Sequence, residues 1–260
     1  MLAPASAQTE AGAALPSFEV ASVKPTDLNG QILVGIFVYP GGRVVIHGLE
    51  LKALMAAAFG VSYQQVSGGD RWTESVPYEV EAKPSEAMQA TIKDLRCTDF
   101  SIDDERLRQM LQALLIDRFQ LKFHRETKTG DVWLLERNGK TLGLVPSAVA
   151  PTSPDPANDH SSRGSMGYGS GKWGLSNTTM AQLARFASYD MEPGNVLDRT
   201  GLSGRFNYSQ AAPDDEPAHP GPALIDSFMN MLSTVGLQME HSKERVETLV
   251  IDSVEKPSAN

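Results

Sequence analysis

The order of hydrophobic and polar residues recurs in the two halves of the chain. A strand-like segment at residues 43–47 precedes one helical pattern, and a similar segment at residues 173–176 precedes another. The apolar residues of these helices are Leu51, Leu54, Met55 and Ala58 in the first half and Met180, Leu183, Ala184 and Ala187 in the second. They recur every three or four residues, which is typical of an amphipathic helix. The pattern therefore predicts a strand followed by a helix in each half.

The next elements also match between the halves. The alternating strand at residues 78–82 corresponds to residues 206–210. A second amphipathic helix follows, with apolar residues Leu107, Met110, Leu111, Leu114 and Leu115 in the first half and Leu224, Phe228, Met231, Leu232 and Val235 in the second. Such self-similarity across a whole half of a chain indicates an internal repeat.

We expect each half to end in a hairpin. Residues 120–125 would pair with residues 132–137, and residues 238–241 with residues 248–254, because turn-forming residues separate the two runs in each case. The first half carries about ten extra residues before its second helix, which we place in the connection at residues 83–100.

These elements predict an α+β protein built from two tandem-duplicated lobes. Each lobe is expected to be a small mixed sheet covered by two helices, in the order strand, helix, two strands, helix, two strands. The first lobe spans residues 17–146 and the second spans residues 173–257. Two such sheets side by side would bury an interface between the lobes.

Composition marks a segment between the lobes that has little apolar material. Residues 147–172 contain six Ser, four Gly and three Pro among 26 residues, which predicts a linker or a mobile loop. A second break, at residues 211–222, contains four prolines and three acidic residues and interrupts the second repeat before its last helix.

The amino-terminal residues suggest where the protein works. Residues 1–16 are rich in alanine and include Ala5, Ser6 and Ala7, the small-x-small pattern that precedes a signal-peptidase cut. We interpret them as the remnant of an export signal followed by a disordered terminus. The protein is therefore expected to be exported, and periplasmic or secreted.

Charge and cysteine content exclude several function classes. The formal net charge of -9 disfavours nucleic acid and anionic lipid as partners, because both are negatively charged. Cys97 is the single cysteine, so an internal disulfide and a cysteine-based zinc finger are excluded. No stretch has the length of apolar residues that a membrane-spanning helix needs.

A glycine motif in the linker does not predict a cofactor. Residues 169–174 match GxGxxG, but the dinucleotide fingerprint needs a strand before it and a helix that starts inside it. Here a Gly/Ser-rich loop is expected before the motif and a strand after it. We expect no cofactor.

A loop-borne hydrolase site is one interpretation of the linker. No serine lies in GxSxG and none begins SxxK, so a catalytic triad would have to form from distant residues. Ser165 and Ser170, with Asp159 and His160, are the catalytic candidates. A solvated serine-rich linker is the alternative that we favour.

Metal binding is not expected either. No two of the five histidines have the i,i+4 spacing of a helical metal site. The two acidic loops would have to meet in space to hold a hard cation, and solvated loops are the simpler interpretation. Their potential ligands are Asp155, Asp159, His160, Asp214, Asp215, Glu216 and His219.

Aromatic residues supply candidate ligand contacts. Trp72, Trp173 and Tyr168 would suit a groove for a glycan or a peptide, because flat rings contribute a large contact area at a small entropic cost. Packing in the core or on an edge strand explains Trp72 equally well.

Five ordered strings carry a family resemblance over nearly the whole chain from residue 18. They are FEVASVKP (18–25), SGGDRW (67–72), LLIDRFQLKFHRET (114–127), LDRTGLSGRFNY (197–208) and TLVIDSVEKP (248–257). Together they resemble the Soli-type family of exported soil-bacterial proteins, a domain of unknown function that some members join to a membrane metallopeptidase of the beta-lactam-sensor type. Each half also resembles, in the order of its elements, the short secretin and TonB-receptor N-terminal domain. The resemblance implies no reaction or catalytic residue.

The sequence therefore predicts a noncatalytic binding or protein-interaction module of the cell envelope. Its expected partner is a cell-envelope protein, a peptide or a glycan, contacted by exposed strand edges or by the groove between the lobes. The alternative is an exported hydrolase that acts on an ester or a glycan with a loop-borne serine and histidine.

Overall fold

The protein combines helices and sheets, which confirms the predicted α+β class. A computed structural model describes residues 16–29, 34–90, 97–98, 101–102, 104–148, 165–169, 172–191, 194–209 and 223–257. Its helices are α1 (Leu51–Phe59), α2 (Glu86–Gln89), α3 (Glu105–Arg118), α4 (Met180–Asp190) and α5 (Ala223–Thr234). The strands of the first half are β1 (Val20–Pro25), β2 (Gly35–Val38), β3 (Val44–Glu50), β4 (Val66–Gly68), β5 (Pro77–Lys83), β6 (Cys97–Thr98), β7 (Ser101–Ile102) and β8 (Lys122–Arg137). Those that follow are β9 (Val145–Pro146), β10 (Ser165–Gly169), β11 (Lys172–Thr178), β12 (Val196–Asp198), β13 (Phe206–Ser209) and β14 (Leu237–Ser253).

Two four-stranded sheets have the same internal order. Sheet 1 runs β1-β5-β3-β2, and sheet 2 runs β9-β13-β11-β10. Every neighbouring pair in both sheets is antiparallel, so the mixed sheet expected for each lobe is wrong for these two. A separate two-stranded sheet joins β6 to β7.

A third sheet joins the two halves of the chain. Its order is β12-β8-β14-β4, with β8 and β14 antiparallel along almost their whole length. The short strand β4 of the first half pairs in parallel with β14 of the second half. Reciprocally, β12 of the second half pairs in parallel with β8 of the first. Each half therefore adds an edge strand to the long strand of the other half.

The two predicted hairpins are wrong. Residues 122–137 form one continuous strand of 16 residues, and residues 237–253 form one of 17. The two strands pair with each other, with Thr129 opposite Arg245 near the middle. The turn-like residues in each segment stay extended because a long partner strand satisfies their backbone groups.

Two hydrophobic cores lie at opposite ends of the β8–β14 pair. The first core contains sheet 1, α1 and α3, together with Leu249 and Ile251 from the end of β14. The second contains sheet 2, α4 and α5, together with Leu135 from the end of β8. Each long strand therefore begins in its own core and ends in the other core. We call the two units lobe 1 and lobe 2.

Local sequence explains where the helices begin. Asp104 is the N-cap of α3, and its carboxylate accepts hydrogen bonds from the amides of Arg106 and Leu107. Thr179 caps α4 in a capping box with Gln182. These caps satisfy amide groups that have no partner inside the helix.

Two segments differ from the predicted boundaries. Residues 165–169, assigned by composition to the linker, form β10 and pair with β11. Averaging over the Gly/Ser-rich stretch hides the alternation of Met166 and Tyr168, whose side chains pack against the second core. Strand β9, placed at the end of the first repeat, pairs with β13 in sheet 2.

Candidate functional site

The residues proposed for a serine-hydrolase site are only partly described. Ser170, His160 and Asp159 lie outside the described residues. Ser165 begins β10, and its carbonyl accepts a hydrogen bond of 2.9 Å from Oγ1 of Thr178. Among the described residues, no histidine or carboxylate is hydrogen-bonded to the Ser165 hydroxyl. The described part of the chain thus brings no catalytic triad together around Ser165.

Two of the three aromatic candidates belong to lobe 2. Trp173 is 1% exposed, and its Nε1 donates a 3.1 Å hydrogen bond to Oγ of Ser227. Its ring centroid lies 5.2 Å from that of Phe228 and 5.4 Å from that of Tyr168. Trp173 is therefore a core residue with no surface to offer a ligand, and half-buried Tyr168 packs beside it.

Trp72, the third candidate, lies on a tight turn that we call the Trp72 turn (residues 68–74). Gly68 and Gly69 begin it with φ angles of 75° and 76°, a left-handed conformation that favours glycine. A Cβ at Gly68 would lie 2.7 Å from the carbonyl oxygen of Ile251, so the close approach to β14 also requires glycine. A short 3₁₀ helix, Arg71–Glu74, completes the turn.

The Trp72 ring is half-buried and packs against two aromatic rings of the first core. It stacks on Phe119 with a centroid distance of 6.4 Å and an interplanar angle of 13°, and it meets Tyr78 edge-on. Phe119 and Tyr78 are both buried, and burial raises the pKa of the Tyr78 hydroxyl. Nζ of Lys256 lies 5.8 Å from the Trp72 ring centroid. One part of the indole is thus fixed in the core while its remainder stays at the surface.

The rest of the turn is anchored while its charged residues are exposed. Thr73 is buried, and its hydroxyl donates to the carbonyl of Asp70 at 2.7 Å. Glu74 forms an ion pair with Lys52 of α1, whose side chain is only 9% exposed. Asp70 and Arg71 remain exposed on either side of this anchor. A rigid base that displays an indole together with both charge signs is suited to binding.

The corresponding segment of lobe 2 has no tryptophan. It follows β12, as the Trp72 turn follows β4, and runs from Asp198 to Leu202. The Asp198 carboxylate accepts hydrogen bonds from the amide and the hydroxyl of Thr200, at 2.9 and 2.8 Å. Leu202 packs against the second core. This described segment of lobe 2 therefore offers no aromatic ring comparable to Trp72.

Sequence reasoning missed the histidine–carboxylate pairs, among them that of His47 and that of His124. Nδ1 of His47 is hydrogen-bonded to the Glu79 carboxylate across sheet 1. The same Glu79 accepts hydrogen bonds from the Thr26 hydroxyl at 2.9 Å and from the Gly48 amide at 3.3 Å. No local sequence motif predicts this pair, because His47 on β3 and Glu79 on β5 become neighbours only when the two strands pair in the sheet.

The second pair lies on the central sheet. Nε2 of His124 is 3.3 Å from Glu126, and Nδ1 is 2.7 Å from Asp252 on β14. The hydrogen bonds with Glu126 and then Asp252 raise the pKa of His124, and those with Lys128 and then His124 lower the pKa of Glu126. All of these groups are exposed or nearly so, which makes the cluster a solvated ion-pair network.

Neither pair builds a metal centre. Among the described residues, no group of three or more His, Cys, Asp or Glu side chains is arranged to hold a metal ion. The described helices also include none with both the length and the apolar character needed to cross a lipid bilayer.

Comparison with known proteins identifies the family. The model of a family described as a protein of unknown function (DUF3738) matches residues 52–254, which covers most of both lobes. The chain therefore belongs to this family. No curated protein and no solved structure matches it.

Proposed function

We propose that the protein is a noncatalytic binding or protein-interaction module of the cell envelope, and that it contacts its partner through the Trp72 turn. The carrying observation is the half-buried Trp72 ring, which stacks on buried Phe119 while the turn around it is held rigidly. An indole fixed in this way loses little side-chain entropy when a partner covers it. Aromatic side chains in such positions dominate the energy of many interfaces.

The charges around Trp72 indicate the kind of partner. Asp70, Arg71 and Lys256 are exposed near the ring, so the surface offers both an acceptor and cationic donors. A peptide segment, or a glycan whose hydroxyl groups accept and donate hydrogen bonds, has matching chemistry. A single-sign polyanion is a poorer match, because the chain has a net charge of -9.

We also infer that an ancestral unit was copied in tandem to give the two lobes. The common strand order of sheets 1 and 2 supports this inference, as does the reciprocal placement of β4 on β14 and of β12 on β8. Failure of residues 35–83 to superpose on residues 165–209 in a crystal structure would contradict it. Under this proposal, Trp72 is a contact that one copy alone carries.

Export to the periplasm or the exterior is part of the same proposal. Its support is the small-x-small pattern at Ala5 to Ala7 and the resemblance to the exported Soli-type proteins. The likeness of each half to the secretin and TonB-receptor N-terminal domain is an analogy at the level of fold, and it supports an envelope partner only in that sense.

The test compares partner capture by matched variants. Purified protein and its Trp72→Ala, Trp72→Phe and Lys128→Ala variants are immobilised and exposed to a solubilised envelope fraction, and captured proteins and glycans are quantified by mass spectrometry. We expect Trp72→Ala to capture at least about tenfold less partner than the wild type, and Trp72→Phe to show a smaller decrease. Lys128 is exposed and remote in sequence from the turn, so Lys128→Ala should capture as much partner as the wild type. Melting curves show whether each variant is folded.

The contrary results separate the alternatives. Equal capture by folded Trp72→Ala would contradict the Trp72 turn as the contact surface. Hydrolysis of aryl esters or aryl glycosides by the wild-type protein, lost in Ser165→Ala, Ser170→Ala or His160→Ala, would favour the exported hydrolase instead. A variant that loses its melting transition would show that Trp72 is needed for folding.

A further inference from the structure

The middle of the central sheet contains only two strands. Strand β12 pairs with β8 at residues 133–135, and β4 pairs with β14 at residues 249–251. Between these points, residues 123–131 of β8 and 239–245 of β14 pair only with each other among the described strands. A two-stranded ribbon is marginally stable in water on its own, so a further strand on either edge would stabilise this stretch.

The backbone of β8 leaves residues 123–131 unpaired on its outer edge. The Trp133 amide donates to the Asn195 carbonyl at 2.8 Å, and the Leu135 carbonyl accepts from the Arg199 amide at 2.9 Å. Residues of an antiparallel strand bond alternately to one side and the other, so the odd-numbered residues of β8 face the β12 side. Those that precede the contact with β12 are Phe123, Arg125, Thr127, Thr129 and Asp131. None of their backbone groups is hydrogen-bonded to another residue of the described chain.

The side chains along this edge are not covered either. Thr127, Lys128 and Thr129 are exposed, and the side chains of Lys128 and Glu126 are 64% and 36% exposed. Residues 122–137 contain no proline that would block pairing. Charged side chains, lysine above all, are a usual means of preventing unwanted strand addition. A strand that pairs here must therefore place an opposite charge against each of them.

The charges on either side of Thr127 are complementary to themselves. In an antiparallel pair of β8 strands about a twofold axis at Thr127, Glu126 lies opposite Lys128 of the partner subunit, and the reverse pair forms beyond the axis. Thr127 lies opposite Thr127 of the partner subunit, a favourable cross-strand pair. No other pair within residues 123–131 places like charges opposite each other. Thr127 is also the midpoint of this open stretch, so the register uses all of it in both copies.

The neighbouring registers do not have this property. An axis moved by one residue to Glu126 places that carboxylate opposite Glu126 of the partner subunit, and an axis at Lys128 does the same with two ammonium groups. Like charges directly opposite each other destabilise a sheet. The order Glu126, Thr127, Lys128 therefore selects one register.

The outer edge of β14 is a poorer site for a second copy. Side-chain amides bond the Leu237 and Glu247 carbonyls at the two ends of this edge, at 3.1 and 2.8 Å. The stretch between them is centred on Ser242, and a twofold axis there places Glu240 opposite Glu244 of the partner subunit. The repulsion between these carboxylates favours β8 as the pairing strand.

We propose that two copies of this chain associate through β8, which pairs antiparallel with β8 of the second copy about a twofold axis at Thr127. The interface is isologous, because the same strand serves both subunits. The middle of the central sheet then contains four strands, β14 and β8 from each copy. Strand β4 and the Trp72 turn lie beyond β14, on the opposite edge of the sheet. The dimer therefore leaves the proposed binding surface free, and loss of the dimer leaves that surface unchanged.

The test is the mass of the protein in solution. Analytical ultracentrifugation of the full chain at low salt, across a wide concentration series, should show a shift from 28.1 kDa toward twice that mass. Glu126→Lys and Lys128→Glu each place like charges opposite each other on both sides of the axis, so each should weaken self-association at least about tenfold. Lys243→Glu on β14 is the matched control, because it changes the net charge as Lys128→Glu does but lies away from the paired edge. It should associate as the wild type does.

A mixture of the two variants separates strand pairing from a loss of folding. Glu126→Lys carries two positive charges beside Thr127, and Lys128→Glu carries two negative ones. An equimolar mixture should therefore form a heterodimer about as tightly as the wild type forms its dimer, although each variant alone stays largely monomeric. Each chain keeps its own substitution in the mixture, so only the contact between copies is restored.

Amide hydrogen exchange gives an independent readout that needs no variant. The Thr127 amide should exchange more slowly at high than at low protein concentration, while the Lys243 amide, which faces the outer edge of β14, should not change. A monomer at every concentration would overturn the proposal, as would a mass that keeps rising past the dimer through pairing of β8 with β14 of a further copy. So would a dimer that persists in folded Glu126→Lys and Lys128→Glu variants, or a mixture that associates no better than they do.

Discussion

Gly48 and Asn177 occupy the same position in the two sheets. Each is the second residue of a bulge in which two residues of one strand, His47 with Gly48 and Ser176 with Asn177, face one residue of the next strand. Both adopt a left-handed backbone, with φ angles of 68° and 51°. Each donates its amide to the side chain opposite, Gly48 to Glu79 and Asn177 to Asn207. Glycine therefore adopts this left-handed conformation in one lobe, and asparagine adopts it in the other.

This equivalence predicts an unequal effect of substitutions at Gly48. Gly48→Ala should lower the free energy of unfolding by about 1–2 kcal/mol, because a Cβ disfavours the left-handed conformation. Gly48→Asn should cost less, since asparagine tolerates this conformation and already occupies the equivalent position in lobe 2. Urea denaturation followed by circular dichroism measures both. Equal losses for the two variants would contradict the left-handed assignment.

The exchange of long strands predicts that the lobes unfold together. Leu249 lies near the carboxyl end of β14 but is fully buried in the first core. Leu249→Ala should lower the free energy of unfolding by about 2–5 kcal/mol. Tryptophan fluorescence and far-ultraviolet circular dichroism should report the same denaturant midpoint, as expected for one cooperative transition. Two separate midpoints would mean that the lobes are independent.

The aromatic stack predicts a contrast between its inner and outer members. Phe119 is fully buried beneath Trp72 and Tyr78, so Phe119→Ala should lower the free energy of unfolding by about 3–5 kcal/mol. Trp72→Ala should cost clearly less, because that ring is already half exposed. Urea denaturation of both variants under one set of conditions tests the contrast. A larger loss for Trp72→Ala would assign that ring to the core and weaken the proposed binding role.

His124 predicts a pH dependence of defined sign. The hydrogen bonds with Glu126 and then with Asp252 raise its pKa in the folded state. Its contribution to stability is therefore fully present below the unfolded pKa and is lost as the pH rises through the raised pKa of the folded state. NMR titration of the imidazole protons should show the raised pKa, and Asp252→Asn should lower it. His124→Gln should remove this part of the pH dependence, whereas an unchanged NMR midpoint in Asp252→Asn would contradict the pairing.

The sequence predicted the aromatic residue of the candidate site but not the contacts that hold it in place. Trp72 was a candidate from its residue type alone, because a flat ring offers a large contact area, but its contact with Phe119 joins residues far apart in the chain. The ion pair between Lys52 and Glu74, which anchors the turn, likewise depends on how α1 packs against it. Trp173 shows the opposite case, because its residue type suggested a ligand contact and its packing made it core.

Sequence alone determined the class of the protein and the nature of most of its elements. The apolar spacing of α1, α3, α4 and α5 and the alternation in β5 were readable because helix and strand periods depend on residues a few positions apart. Only the tertiary structure decided that β8 and β14 are single strands, and that β4 and β12 pair with the opposite half. The physical reason is that a two-residue period specifies which face of a strand is buried, while its neighbour is chosen by backbone hydrogen bonds and packing between distant residues.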